Sequence, residues 1–302
     1  AFSQGAPYTG GMHTQTYLQS APKEATWAGV RLIEEKHTSR SFVDGKPRSN
    51  FTNWDKGLMV EVLWNGHFGY AGTCDLSSAG VKAAWENALL LAKSGSAKRV
   101  AEFTAAQRPS SKGRFASPIH RGFDSLSARD ASDLLARASQ ALKASDKIVS
   151  TGASLWLIER NEWQASTSGT DIHQCTHLVN AGFSATASDG KESQTRSDSR
   201  GVCHQAGLEL LNEGDILRSC EKAGQQALEL LAAENCPSDT RDLVILPDQM
   251  MLQIHESIGH PLEMDRILGD ERNYAGWSFV KPEDFGSLQY GSKLMNVTYA
   301  PD

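Results

Sequence analysis

Two Asx-Gly pairs constrain what this chain can fold into more than any other local feature. Asp44-Gly45 and Asn65-Gly66 are the dipeptides that two-residue hairpin turns favour, because both central positions need positive φ. The flanking residues alternate. Val30, Leu32 and Glu34 interleave with Arg31, Ile33 and Glu35, and Leu58–Trp64 and Phe68–Ala71 border the second pair. This pattern predicts antiparallel strands over roughly 27–75. A helix follows near 77–94, where Val81, Ala84, Trp85, Ala88, Leu91 and Ala92 recur as one stripe. Residues 95–127 carry Ser, Gly, Arg and two prolines and read as a surface loop. A second helix at about 129–144 presents Leu134, Leu135, Ala138, Ala141 and Leu142. From 148 to 210 the chain reads as a strand-rich meander, with turn residues at Ile158–Trp163 and Ser188–Lys191. A third helix at 217–233 turns Cys220, Ala223, Ala227, Leu230 and Leu231 to one side. Trp54, Trp64 and Trp156 fill cores or sheet faces. This order implies an α+β fold, with antiparallel β-sheets and packed helices.

The chemistry concentrates in His255-Glu256-Ser257-Ile258-Gly259-His260. Two imidazoles, which are good zinc ligands when neutral, flank a carboxylate that can take a proton from water. The familiar zinc-protease motif spaces its histidines at i and i+4, one turn apart. Here the spacing is i and i+5, which on a regular α-helix separates the rings by about 140°. A one-residue π-type bulge brings them back to one side, and Gly259 permits the distortion. Upstream, Asp242–Leu246 reads as a buried strand, and Pro247-Asp248 as a turn with an N-cap. Met250, Met251 and Ile254 supply the apolar side of a short helix that Pro261 ends. The metal motif is thus expected on a short helix following a buried strand.

The longer stretch His255–Arg266, followed by Asn273-Tyr274-Ala275-Gly276-Trp277-Ser278-Phe279, resembles the TldD/PmbA family of metallopeptidases, in its TldD-like branch. Gly29–Ile33, Gly57–Val62 and Gly69–Thr73 resemble that family's opening strands. The resemblance implies a Zn2+-dependent peptidase acting on short or unfolded peptides, with His255 and His260 as zinc ligands and Glu256 as general base. It also implies a homo- or heterodimer with a family subunit. The family uses a further cysteine ligand far downstream, whereas Cys74, Cys175, Cys203, Cys220 and Cys236 all precede the motif. On this resemblance residues 1–26 form an extended N-terminal arm without the family's usual opening helix. Residues 27–215 form an N-terminal α+β domain, and 216–302 the start of an incomplete catalytic metal-binding domain. The alternative expectation is a non-catalytic peptide- or partner-binding subunit of such a complex. A mononuclear zinc hydrolase of other substrates is a third.

Other clusters carry less. His173, Cys175 and His177 alternate and would share one strand face, where a metal is conceivable but surface or packing roles are commoner. Cys203 and His204 are adjacent, so on a strand they point apart. Glu263 and Asp265 either hold a ligand imidazole through its free N–H or cap the helix end. Asn273, Tyr274 and Gly276 either line a peptide groove or form a tight turn before a strand at Ser278–Val280. Thirty basic against thirty-six acidic residues give no basic stripe for nucleic acid, and no apolar run has the length of a membrane span. Five cysteines without CxxC spacing fit a reducing, cytoplasmic setting. An exported form with its signal removed is the alternative.

Overall fold

A computed structural model describes residues 10–97, 102–198 and 203–298. The chain divides into two compact units, residues 1–234 and 235–302. The first is the α+β body expected from the sequence.

Its centre is an eight-stranded sheet. Strands β1 (Trp27–Val43), β2 (Lys46–Trp64), β3 (His67–Thr73), β4 (Lys112–Ala116), β5 (Ile148–Ser166) and β6 (Asp171–Ser188) lie in the order β3-β2-β1-β5-β6-β4. The outer edge of β6 is shared by β4, the two-residue β8 (His204–Gln205) and β7 (Ser193–Ser197). Among the described residues only the β4–β6 pairing is parallel. Both Asx-Gly pairs do what their chemistry demands. Asp44, Gly45, Asn65 and Gly66 all have positive φ, the geometry that lets a two-residue turn match the twist of its strands. The Asp44 turn is fastened at its base, where Thr151 N–H donates to the Asp44 carboxylate at 2.7 Å.

Two cores form on one face of this sheet. Helix α2 (Ser78–Ser96) lays Val81, Ala84, Trp85, Ala88 and Ala92 on Val30, Leu32, Val60 and Val62. Its N-terminus is capped by Ser77, whose side chain accepts from Gly80 N–H. Leu91, expected on the buried stripe, is 53% exposed. Helices α3 (Ala128–Leu142) and α4 (Glu213–Ala232) bury Leu134, Leu135, Ile216, Cys220 and Ala223 against Leu155, Leu157, Val179 and Phe183. From Ala153 to Ala165, past the register shift near Ile148, strand β5 feeds both cores from positions of one parity, so α2 and the α3–α4 pair cover opposite ends of the same face.

Several expectations change. Gly10–Gln19 is helix α1 rather than part of an extended arm. Tyr17 and Leu18 pack onto the α2 core, and the Tyr17 carbonyl accepts the Trp85 indole N–H at 3.1 Å. That tertiary burial outweighs two leading glycines. Residues 1–9 of the expected arm lie outside the described residues. Strand β4 arises inside the stretch read as loop, because its five exposed residues give no apolar alternation. β5 passes unbroken through Ile158–Trp163, and the chain turns instead around Gly169, at φ +93. The first unit ends at Glu234 rather than 215 because α4 buries its apolar side in the same core as α3. Trp54 lies exposed on the sheet, under the Lys36 ammonium at 5.1 Å. No helix among the described residues is long and apolar enough to cross a membrane.

Candidate metal centre

The second unit, residues 235–302, carries the motif. Asp242–Leu246 is not a buried strand. It pairs with no strand among the described residues, and Leu243 and Val244 are 80% and 86% exposed. An apolar run becomes a strand only where a neighbour completes its ladder. Helix α5 (Pro247–Ile254) follows, with Pro247 at its first position and Asp248 in the first turn. Leu246, not Pro247-Asp248, occupies the N-cap. Proline suits the helix start because the missing N–H is one that no carbonyl would have met.

From Ile254 the backbone stays right-handed but widens. Residues His255–Gly259 form a π-turn, in which His260 N–H donates to the His255 carbonyl five residues back. The chain then tightens into a 3-10 turn over His260–Leu262. The wide turn absorbs the extra residue of the i, i+5 spacing. His255 and His260 rings sit 4.3 Å apart between centroids, inclined at 74°. One ligand atom from each of His255, Glu256 and His260 falls within 4.8 Å of the others. His255 Nε2 and Glu256 Oε1 are 3.7 Å apart, and both side chains are more than half exposed.

His260 is held from behind. Its Nδ1 lies 2.8 Å from Glu263 Oε1 and 3.3 Å from Arg266 Nη2; a proton on Nδ1 serves the carboxylate and leaves the Nε2 lone pair for an ion. Hydrogen bonding from His260, then from Arg266, draws the Glu263 carboxyl below its ordinary pKa. Arg266 Nε reaches the other Glu263 oxygen, while its Nη1 donates to the Ala275 carbonyl at 2.7 Å. Ser278 closes the brace, its hydroxyl donating to the Pro261 carbonyl at 2.5 Å and its N–H to the Arg266 carbonyl at 3.2 Å. Of the two acidic candidates, Glu263 thus takes the imidazole, and Asp265 accepts from Arg266 N–H in the following short helix α6 (Met264–Leu268). Asn273–Gly276 is a turn, with Gly276 at φ +90 and Tyr274 91% exposed. No strand follows at Ser278–Val280. Tyr290 carried no signal in the sequence, yet its hydroxyl donates to the Ser257 carbonyl inside the π-turn from 33 residues away.

This donor set fits a divalent metal. Two imidazoles converge, one has its outer nitrogen tied to a carboxylate, and a second carboxylate stands beside them. Among the described residues no cysteine joins the group, and no second such group exists.

The other clusters resolve as structure. His173 stacks on Trp163 at 4.9 Å and pairs with Asn161 at 3.1 Å. Cys175 Sγ and His177 Nδ1 are 4.0 Å apart, and His177 Nε2 is 3.9 Å from Glu159. The arrangement resembles a nucleophile-base-acid relay, but burial, then Glu159, raises the Cys175 thiol pKa and keeps it protonated. Burial also raises the Cys203 thiol.

Residues 28–92 match the model for the first domain of the PmbA/TldA metallopeptidases, and residues 121–231 the model for their central domain. The two segments make up more than half of the chain. The chain belongs to the TldD/PmbA family. Both matched segments precede His255, so the motif's role is argued from its own geometry. A metalloprotease of Methanothermobacter thermautotrophicus is 28% identical over 251 residues, which cover 83% of this chain and 53% of that protein. Solved structures share the fold. A candidate modulator of DNA gyrase from Bacteroides thetaiotaomicron has a TM-score of 0.56 at 19% identity, over 73% of this chain and 49% of its own. TldE of Thermococcus kodakarensis has a TM-score of 0.53 at 14% identity, over 72% and 47%. The chain spans about half the length of these relatives.

Proposed function

We propose that this TldD/PmbA-family chain belongs to the TldD-like branch and contributes the metal-binding part of a zinc peptidase acting on short or unfolded peptides. The observation that carries the reading is the π-turn, which sets His255 and His260 side by side with Glu256 between them in sequence. His255 and His260 would hold the ion. When bound, zinc supplies Lewis acidity that polarises a carbonyl and lowers the pKa of water. Glu256 accepts the proton of the attacking water as the C–O bond forms, and returns it to the amine nitrogen as the C–N bond breaks. Its half-exposed carboxylate is free to reach both. Glu263 orients the His260 ring. The branch assignment, the peptide substrate, pairing with a family subunit in a dimer, and residues 235–302 as the start of the catalytic domain all belong to this proposal. So does a reducing, cytoplasmic compartment, which suits five free thiols.

A second reading has one observation in its favour. The described residues bring together only two imidazoles and one carboxylate, whereas a catalytic zinc takes three protein ligands beside its water. If Glu256 were itself the third ligand it could not serve as base, and the chain would be a metal-stabilised peptide-binding subunit. Elemental analysis of this chain and of His255→Ala, purified without added metal, tests the site. Near-stoichiometric zinc that His255→Ala loses is expected. Equal zinc in both would remove the motif from consideration. Glu256→Gln then separates the two roles: a base leaves metal content intact and abolishes peptide cleavage, and a ligand lowers metal content.

A further inference from the structure

The face of the sheet opposite the helices carries a second candidate site, inside the first unit. There the segment 104–111 lies beside β1, β2 and β5 and forms with them an open cleft of about 520 Å³. The segment is fastened at several points. Ser168 Oγ donates to the Arg108 carbonyl at 2.9 Å, Asp171 N–H donates to the Ser111 carbonyl at 2.9 Å, and Arg108 pairs with Glu61 at 2.6 Å. The size falls in the range of small-ligand sites, roughly 300–1,000 Å³.

One side of the cleft is apolar and depends on a glycine. The Trp27 ring lies over Gly29 so closely that a Cβ there would come within 2.4 Å of it. Trp27 is pinned through its indole N–H to Ser168 Oγ at 3.1 Å. Met59 and Ile172 line the cleft with it. The charges are unequal. Arg108 spends its guanidinium on Glu61 and on the Phe68 ring, 4.9 Å away. Arg31 has only a loose pairing with Glu162, at 3.9 Å, and that same carboxylate oxygen accepts Gln164 Nε2 at 2.7 Å. Arg31 is therefore the one lining cation whose charge is largely unspent.

We propose that this cleft binds the C-terminal carboxylate of a short peptide, with Arg31 pairing the carboxylate and Trp27, Met59 and Ile172 seating an apolar side chain. A single uncommitted guanidinium offers the two parallel N–H donors that a monoanionic carboxylate takes up. The neutral side chains around it, Gln107, Gln164, Ser111 and Thr170, suit amide N–H and C=O groups and would be wasted on an alkyl chain. The site needs no metal and no residue of the motif, so it stands or falls apart from the peptidase reading.

The test is calorimetric titration of the full chain with the tripeptide Ala-Ala-Phe and with its C-terminal amide. The acid is expected to bind saturably and the amide about tenfold or more weakly, the loss of one charge-assisted pair. Arg31→Gln, at a half-exposed position, should bind acid and amide alike while keeping the wild-type melting temperature. Met59→Glu is the second variant. Met59 faces Arg31 directly across the β1–β2 ladder, so a carboxylate there should take up Arg31 and abolish binding of the acid. Equal binding of acid and amide by the wild type, no binding of either, or an unchanged preference in Arg31→Gln would each overturn the assignment.

Discussion

Glu209 offers the sharpest quantitative test of how the first unit is held together. Its two oxygens accept three backbone N–H groups: Gly207 at 2.8 Å, Arg121 at 3.0 Å and His120 at 3.2 Å. They tie the segment around residue 120 to the turn that buries Leu208 and Leu211 in the larger core. Burial pushes the carboxyl upward, and the backbone donors, Gly207 foremost, outweigh it, leaving a pKa of about 2 against an ordinary 4.5. Because the folded state holds the lower pKa, the linked stability is fully present above the unfolded value. It is lost as pH falls from about 4.5 toward about 2. At ~1.4 kcal/mol per tenfold change in proton affinity the ceiling is about 3 kcal/mol. The carboxylate is partly open to water, and screening reduces the expectation to roughly 1–2 kcal/mol. Glu209→Gln keeps an acceptor oxygen and removes the charge. Urea unfolding followed by tryptophan fluorescence should show the variant less stable by that amount near pH ~7, and the gap should shrink toward pH ~3. A gap of the same size at both pH values, or none near neutrality, would refute the argument.

Glu263→Gln should weaken zinc binding by about 10–100-fold in a competition with a chromogenic chelator, while Asp265→Asn, which touches no histidine, changes it little. Tyr290→Phe leaves the Ser257 carbonyl without its donor and should lower zinc affinity without changing the melting temperature of the first unit. Gly69→Ala puts a Cβ within 2.0 Å of the Ala88 carbonyl on α2 and should cost about 2–3 kcal/mol in urea unfolding. At Gly57 the nearest atom would be 3.6 Å away, so Gly57→Ala should be neutral to within about 1 kcal/mol.

The parts of this structure visible in the sequence are those fixed by short-range chemistry. Asp44-Gly45 and Asn65-Gly66 state their φ requirement locally, and the stripes Val81–Ala92 and Leu134–Leu142 state their helical period, so the antiparallel sheet and the helices on it follow. The π-turn is legible for the same reason. Two histidines at i and i+5 share a side only if the helix admits an extra residue, and the backbone at His255–Gly259 does so. What stayed hidden depends on partners distant in the chain. β4 has no alternation, because its order comes from lying beside β6. α1 has weak amphipathicity, because its order comes from the Trp85 indole and the α2 core. Asp242–Leu246 shows the reverse error. Five residues of good strand character, with no strand alongside among the described residues, remain exposed chain. The same division runs through the candidate metal centre. His255, Glu256, His260 and Glu263 lie within nine residues of one another, and their roles can be argued from spacing. Arg266, Ala275, Ser278 and Tyr290, which hold that geometry in place, are joined by hydrogen bonds spanning 9 to 33 residues. The proposed ligands and base are local in sequence and their support is not. Substitutions at the support should therefore loosen the metal before they unfold the protein.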